Sequence, residues 1–149
     1  MKNKKFLTLE KVIGISFNNK EILKKSLTHK SYNNNNNNEK LEFLGDRVLG
    51  LVLSNALLKI YPNEKEGILD KKFANLVNKK TCYQISKKIG LDKYIFVGDS
   101  QKKLDKKNEK ILSDGLEALI GAIFLDQDLE IAEKFIKKNW KEFLIRSNI

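Results

Sequence analysis

The chain has 149 residues, 41% hydrophobic and 32% charged, which is apolar material enough for one ordinary globular domain. Lysine and arginine number 29 against 19 acids, and the resulting charge of +10 suggests a polyanionic partner, either nucleic acid or an anionic membrane surface. One cysteine and one histidine exclude an intramolecular disulfide, a cysteine-based zinc site and any centre that needs two histidines, while a single proline favours helices over a turn-rich β-fold.

The basic start, Met1 to Leu7, leads into an apolar stretch cut by Glu10 and Lys11, too short for a signal peptide. No run approaches the ~18 apolar residues of a membrane span. The expectation is a cytoplasmic protein with no membrane partner. Thr8 is expected to cap a first helix bearing Leu9, Val12, Ile13 and Ile15. Asn19 is expected to cap a second, with Ile22, Leu23 and Leu27 on one face. The run of asparagines from 33 to 37 reads as a solvated loop, and Asn38 as the cap of the next helix. Residues 39–60 form the longest apolar-rich segment, with apolar positions nearly all round the wheel, so this helix should be central. Tyr61-Pro62-Asn63 ends it. Residues 67–76 and 79–89 read as two further helices, with Gly90 as the stop. A short β-like run at 94–97 precedes a polar, lysine-rich loop over 98–108. A second buried helix is expected over 109–125 and an amphipathic one, anchored by Trp140, over 129–145. No internal repeat or linker divides the chain, so the fold class is all-α, one domain over residues 1–149.

Both buried helices carry acids. With ~100° per residue, Asp46 falls roughly 40° and Glu39 roughly 60° from Glu42, so three carboxylates share one edge, which Leu49 and Leu53 continue. Asp114 and Glu117, three residues apart, are neighbours on the second helix, flanked by Ala118 and Gly121, whose small size lets another helix approach. Burying unpartnered carboxylates costs several kcal/mol or raises their pKa. Lys40 and Arg47 point elsewhere on the wheel, and no lysine lies between Asp114 and Asp126. A hard divalent cation would supply the missing charge. The alternative is that Glu39 and Glu117 sit at the rim and are solvated.

The segment Asn38-Glu39-Lys40-Leu41-Glu42-Phe43-Leu44-Gly45-Asp46 resembles the signature of the ribonuclease III family. Residues 111–121, containing Ser113-Asp114-Gly115-Leu116-Glu117-Ala118, resemble that family's second acidic motif, and Leu27-Thr28-His29-Lys30-Ser31-Tyr32 its upstream block. The resemblance covers almost the whole chain and implies that family's helical nuclease domain. It implies that Glu42, Asp46, Asp114 and Glu117 hold a divalent metal, Mg²⁺ or in its place Mn²⁺, with Asp46 and Glu117 central to catalysis. It further implies hydrolysis of double-stranded RNA to 5′-phosphate and 3′-hydroxyl ends, in a symmetric homodimer engaged in RNA processing such as ribosomal precursor maturation. Glu39 and Glu66 match positions that contact RNA or assist the site. Phe43 matches an aromatic that packs into a partner subunit, the other reading being an ordinary core side chain.

Lysines would supply phosphate contacts, with Lys71, Lys72, Lys79, Lys80, Lys102, Lys103, Lys106, Lys107 and Lys110 as candidates. His29 is expected to be structural, holding a hydrogen bond near the acidic helix, and Cys82 to pack as a small apolar residue. Bacterial members usually continue into a double-stranded-RNA-binding domain, and none is expected within these 149 residues. The expectation is a shortened form or a minimal member with weaker, salt-sensitive RNA affinity. Two other functions compete. A non-catalytic RNA-binding or ribosome-associated module has no need for clustered acids. A helical enzyme acting on diphosphates would carry an Asp-rich DDxxD run, which is absent.

Overall fold

The computed structural model describes residues 2–99 and 108–146. Lys102, Lys103, Lys106 and Lys107 therefore lie outside the described residues. The described residues form seven helices: α1 (Lys2–Ile13), α2 (Lys20–Ser26), α3 (Glu39–Ile60), α4 (Glu66–Val77), α5 (Lys79–Ile89), α6 (Glu109–Asp126) and α7 (Leu129–Ile145). Among the described residues no strand forms. The β-like run at 94–97 makes one isolated parallel bridge, Thr28 to Phe96.

Local chemistry explains most boundaries. Asn19 caps α2 by accepting the Glu21 N–H, Asn78 caps α5 through Thr81, Asn108 caps α6 through Lys110 and Ile111, and Asp128 caps α7 through Ile131. Gly90 ends α5 in the left-handed region, φ 81°, as a residue without Cβ can. Two expected caps differ. Thr8 lies inside α1, its hydroxyl donating to the Lys4 carbonyl at 2.9 Å, because helix extends upstream to seat Phe6 in the core. Asn38 precedes α3 without capping it through its side chain. That side chain is buried and donates to the Ser26 carbonyl at 3.2 Å, while Asn37 accepts the Glu39 N–H. Asn38 thus ties the end of α2 to the start of α3.

The core is built around α3 and α6. Leu49, Val52, Leu53 and Leu57 of α3 meet Leu112, Leu116, Leu119, Ile120 and Ile123 of α6, all fully buried or nearly so. At about 1.5–3 kcal/mol for each large side chain removed from water, this pair dominates the apolar stabilisation. Trp140 of α7 is fully buried and donates its indole N–H to the Leu76 carbonyl at 2.9 Å, fastening α7 to α4 as expected.

The approach of α3 to α6 is unusually close, and two glycines permit it. A Cβ on Gly45 would overlap the Glu117 carbonyl, and one on Gly121 would overlap the Leu41 carbonyl. The two backbones touch where both acidic motifs lie.

Candidate metal centre

That backbone contact brings the carboxylates together. Oxygens of Glu42, Asp114 and Glu117 all lie within 4.8 Å of one another. The Glu42 carboxyl faces that of Asp114, and the Glu117 carboxyl faces that of Asp46. Each pair takes one acid from α3 and one from α6. Carboxylates brought this close repel one another, which favours a proton or a cation among them. Burial, then the Asp114 charge, pushes the Glu42 carboxyl up to about 7, with Lys110 opposing. Burial, then the hydrogen bond and charge of Asp46, pushes Glu117 up to about 9. Beneath the cluster, burial and then the Glu117 charge raise the Cys82 thiol to about 12, so it packs as a neutral group against the core.

The sign of the resulting pH effect follows from linkage. Below the ordinary carboxyl value of 4.5 both folded and unfolded chains hold these protons. As pH climbs, the unfolded chain releases them first, and the folded chain keeps them until about 7 and about 9. Metal-free protein should therefore lose stability steadily between pH 5 and 9. A melting temperature falling by roughly 5 °C over that range is expected, with Mg²⁺ restoring more at pH 9 than at pH 5. Calorimetry showing a flat or rising profile without metal would contradict these proton affinities.

The donor set fits a hard divalent cation: several carboxylate oxygens, half-buried, from two rigid helices, with an open side. Glu42, Asp114 and Glu117 would hold the ion, and Asp46 adjoins them through Glu117, its side chain still 55% exposed. Glu39 is exposed on the rim, between two concavities that Glu42 also lines. One of these contains His29, Lys30, Asn38, Lys110 and Asp114; the other contains Phe43, Asp46, Arg47 and Glu117.

The short bridge positions His29. The Phe96 N–H donates to Leu27 and the His29 N–H to Phe96, at 2.8 and 2.9 Å, and the His29 Nδ1 lies 2.7 Å from the Ser31 hydroxyl. These bonds hold His29 on a wall of the acidic cleft.

Three expectations change. Lys72 is only 2% exposed, its ammonium 4.1 Å from the centre of the Tyr61 ring. Its cation–π contact in the interior replaces the expected phosphate contact. Arg47 does not point away from the acids: its guanidinium reaches Asp46 at 3.5 Å and stacks 3.8 Å from the Phe43 ring centre. Lys110, one turn before Asp114, pairs with it at 2.7 Å. The long, flexible Arg47 side chain escapes a wheel built on Cα directions, whereas the i, i+4 spacing of Lys110 and Asp114 signals their pairing. Glu66 is exposed in the first turn of α4, beside Ser54, Leu58, Asp70 and Phe73 and apart from the acidic cluster. Phe43 is 62% exposed and so is not a core side chain. The role of Gly45 was not foreseen; a glycine inside a central helix is the signal that marks it.

A family model described as ribonuclease-III-like matches residues 19–143. The curated ribonuclease 3 of Pelagibacter ubique is 54% identical over 143 residues, covering 96% of this chain and 64% of that protein. That of Bartonella bacilliformis is 40% identical over 145 residues, covering 95% and 62%. The chain thus spans just under two thirds of these relatives' length. Among solved structures, the nuclease domain of ribonuclease III from Campylobacter jejuni matches with a TM-score of 0.85 at 39% identity, covering 89% of this chain and 96% of that one. That structure is described as flexible in a region involved in dimer formation. Dicer from Pichia stipitis matches with a TM-score of 0.68 at 26% identity, over 86% of this chain and 57% of that one.

Proposed function

Because the chain belongs to the ribonuclease III family, we propose that it is the catalytic part of a divalent-metal-dependent endoribonuclease that hydrolyses double-stranded RNA to 5′-phosphate and 3′-hydroxyl ends. The observation that carries this reading is the convergence of Glu42, Asp114 and Glu117 within 4.8 Å, from two helices otherwise packed in the core. Mg²⁺, or Mn²⁺ in its place, supplies Lewis acidity toward the phosphate and toward water. The chain's own part is to hold anionic oxygens in fixed positions, so that little reorganisation is needed at the moment of reaction. Asp46 flanks Glu117 in the same concavity and helps to orient it. Lys30 and Lys110, on the wall of the cleft, and Arg47, on the opposite concavity, attract the RNA phosphates, while Glu39 at the rim faces the groove. We place the activity in RNA processing, with structured ribosomal precursors as the first substrates to try.

Long duplex RNA incubated with the chain and Mg²⁺ is expected to shorten to fragments with 5′-phosphate ends, and EDTA to stop this. Duplex binding without any cleavage in Mg²⁺ would favour a non-catalytic module instead.

The working unit is proposed to be a homodimer formed through α3. Phe43, Leu51 and Leu58, each about 60% exposed, fall on one face of that helix, bordering the edge that carries Glu39, Glu42 and Asp46. A two-fold axis against this face would present one acidic cluster to each strand of a duplex. Phe43→Asp is expected to weaken the dimer by about thirtyfold, the loss of one aromatic anchor, as read by sedimentation. An unchanged mass distribution at micromolar concentration would place the interface elsewhere.

A further inference from the structure

Four carboxyl groups meet at the α3–α6 contact, and among the described residues two cations are paired with them. Arg47 reaches Asp46 at 3.5 Å, from the outer rim. Lys110 makes the shorter contact, 2.7 Å to Asp114 Oδ2, and its charge is also felt by Glu42 and Glu117. The two partners in that ion pair differ in freedom. The Lys110 side chain is 67% exposed and the Asp114 side chain 21%. Asp114 is fixed by α6 and by Glu42, whereas Lys110 leans in from solvent across one helical turn and can swing out without disturbing the core.

The ammonium therefore sits on a carboxylate that the metal reading assigns to the divalent ion. We propose that Lys110 is a displaceable counter-ion: it neutralises Asp114 in the metal-free protein, and a divalent ion binds only by expelling it. This rests on the metal-binding reading and extends it. One monovalent charge keeps the cluster compact before metal arrives, and the need to expel it limits affinity. At about 6 Å, with water-like screening, a doubly charged ion and an ammonium repel enough for roughly a five- to tenfold loss of affinity.

The test is a Mn²⁺ titration of the whole chain without RNA, following the resonance of free Mn²⁺ in solution, for wild type, Lys110→Met and Lys110→Arg. Circular dichroism checks that each is folded, which the exposure of Lys110 favours. Lys110→Met should bind Mn²⁺ about five- to tenfold more tightly than wild type, with Lys110→Arg staying near wild type. Wild-type binding with Lys110→Met equal or weaker overturns the counter-ion role and leaves the metal site intact. Equal tightening in both variants also overturns it, because charge would not be the cause. Absence of Mn²⁺ binding in all three overturns the metal reading together with this one.

Discussion

Glu117→Gln is expected to lower cleavage of duplex RNA by about a thousandfold or more, while leaving duplex binding and the fold intact. Glutamine matches glutamate in volume and can still donate to the Asp46 carboxylate, so the packing between α3 and α6 survives. What it removes is an anionic oxygen from the set that converges within 4.8 Å. The variant also loses the group whose proton is held up to about 9, so its metal-free melting temperature should depend less on pH and, above neutrality, should not fall below the parent's. Single-turnover cleavage with enzyme in excess separates the chemical loss from weakened binding. A variant that cuts at the parent rate would remove Glu117 from the site.

The second large effect concerns the backbone contact. Gly45→Ala and Gly121→Ala should each destabilise the fold by about 3 kcal/mol or more, at the upper end of overpacking costs. The atoms that the new methyl groups would meet are the Glu117 and Leu41 carbonyls, which no rotamer change can clear. Relief requires α3 and α6 to separate, which also pulls Glu42 away from Asp114 and Glu117. Cleavage should therefore fall even at temperatures where the variant remains folded. Gly50→Ala is the internal control: on the same helix, its new Cβ would sit 3.6 Å from the Phe73 ring, an ordinary contact, and removal of a helical glycine should gain about 0.5–1 kcal/mol. Urea melts of the three variants measure this contrast. Similar stabilities for Gly45→Ala and Gly50→Ala would show that the helices tolerate a wider crossing.

Much of this was legible from residue order. The ends of α5 and α7 follow from Gly90 and from the amphipathic spacing around Trp140, and the acids stood out because their neighbours at helical spacing were Leu49, Leu53, Ala118 and Gly121. What residue order concealed depends on contacts made across the fold. Thr8 carries a capping side chain, yet Phe6 upstream has a core site to fill, and tertiary burial overrides the local preference. Asn38 stands where a cap belongs, but its amide is recruited by Ser26. Lys72 looks like a surface lysine until Tyr61 is seen to fold back over α4. The angular position of Arg47 was correct for its Cα atom and misleading for its charge, because the side chain is long enough to bend back to Asp46.

The central claim is that α3 and α6, held in backbone contact by Gly45 and Gly121, present carboxylates built to take a divalent ion. Crystals of the chain grown with Mn²⁺ and measured at the manganese absorption edge address it most directly. An anomalous peak within about 2.5 Å of oxygens from Glu42, Asp114 and Glu117 is the predicted result. Well-ordered carboxylates with no peak among them, at millimolar Mn²⁺, would contradict it.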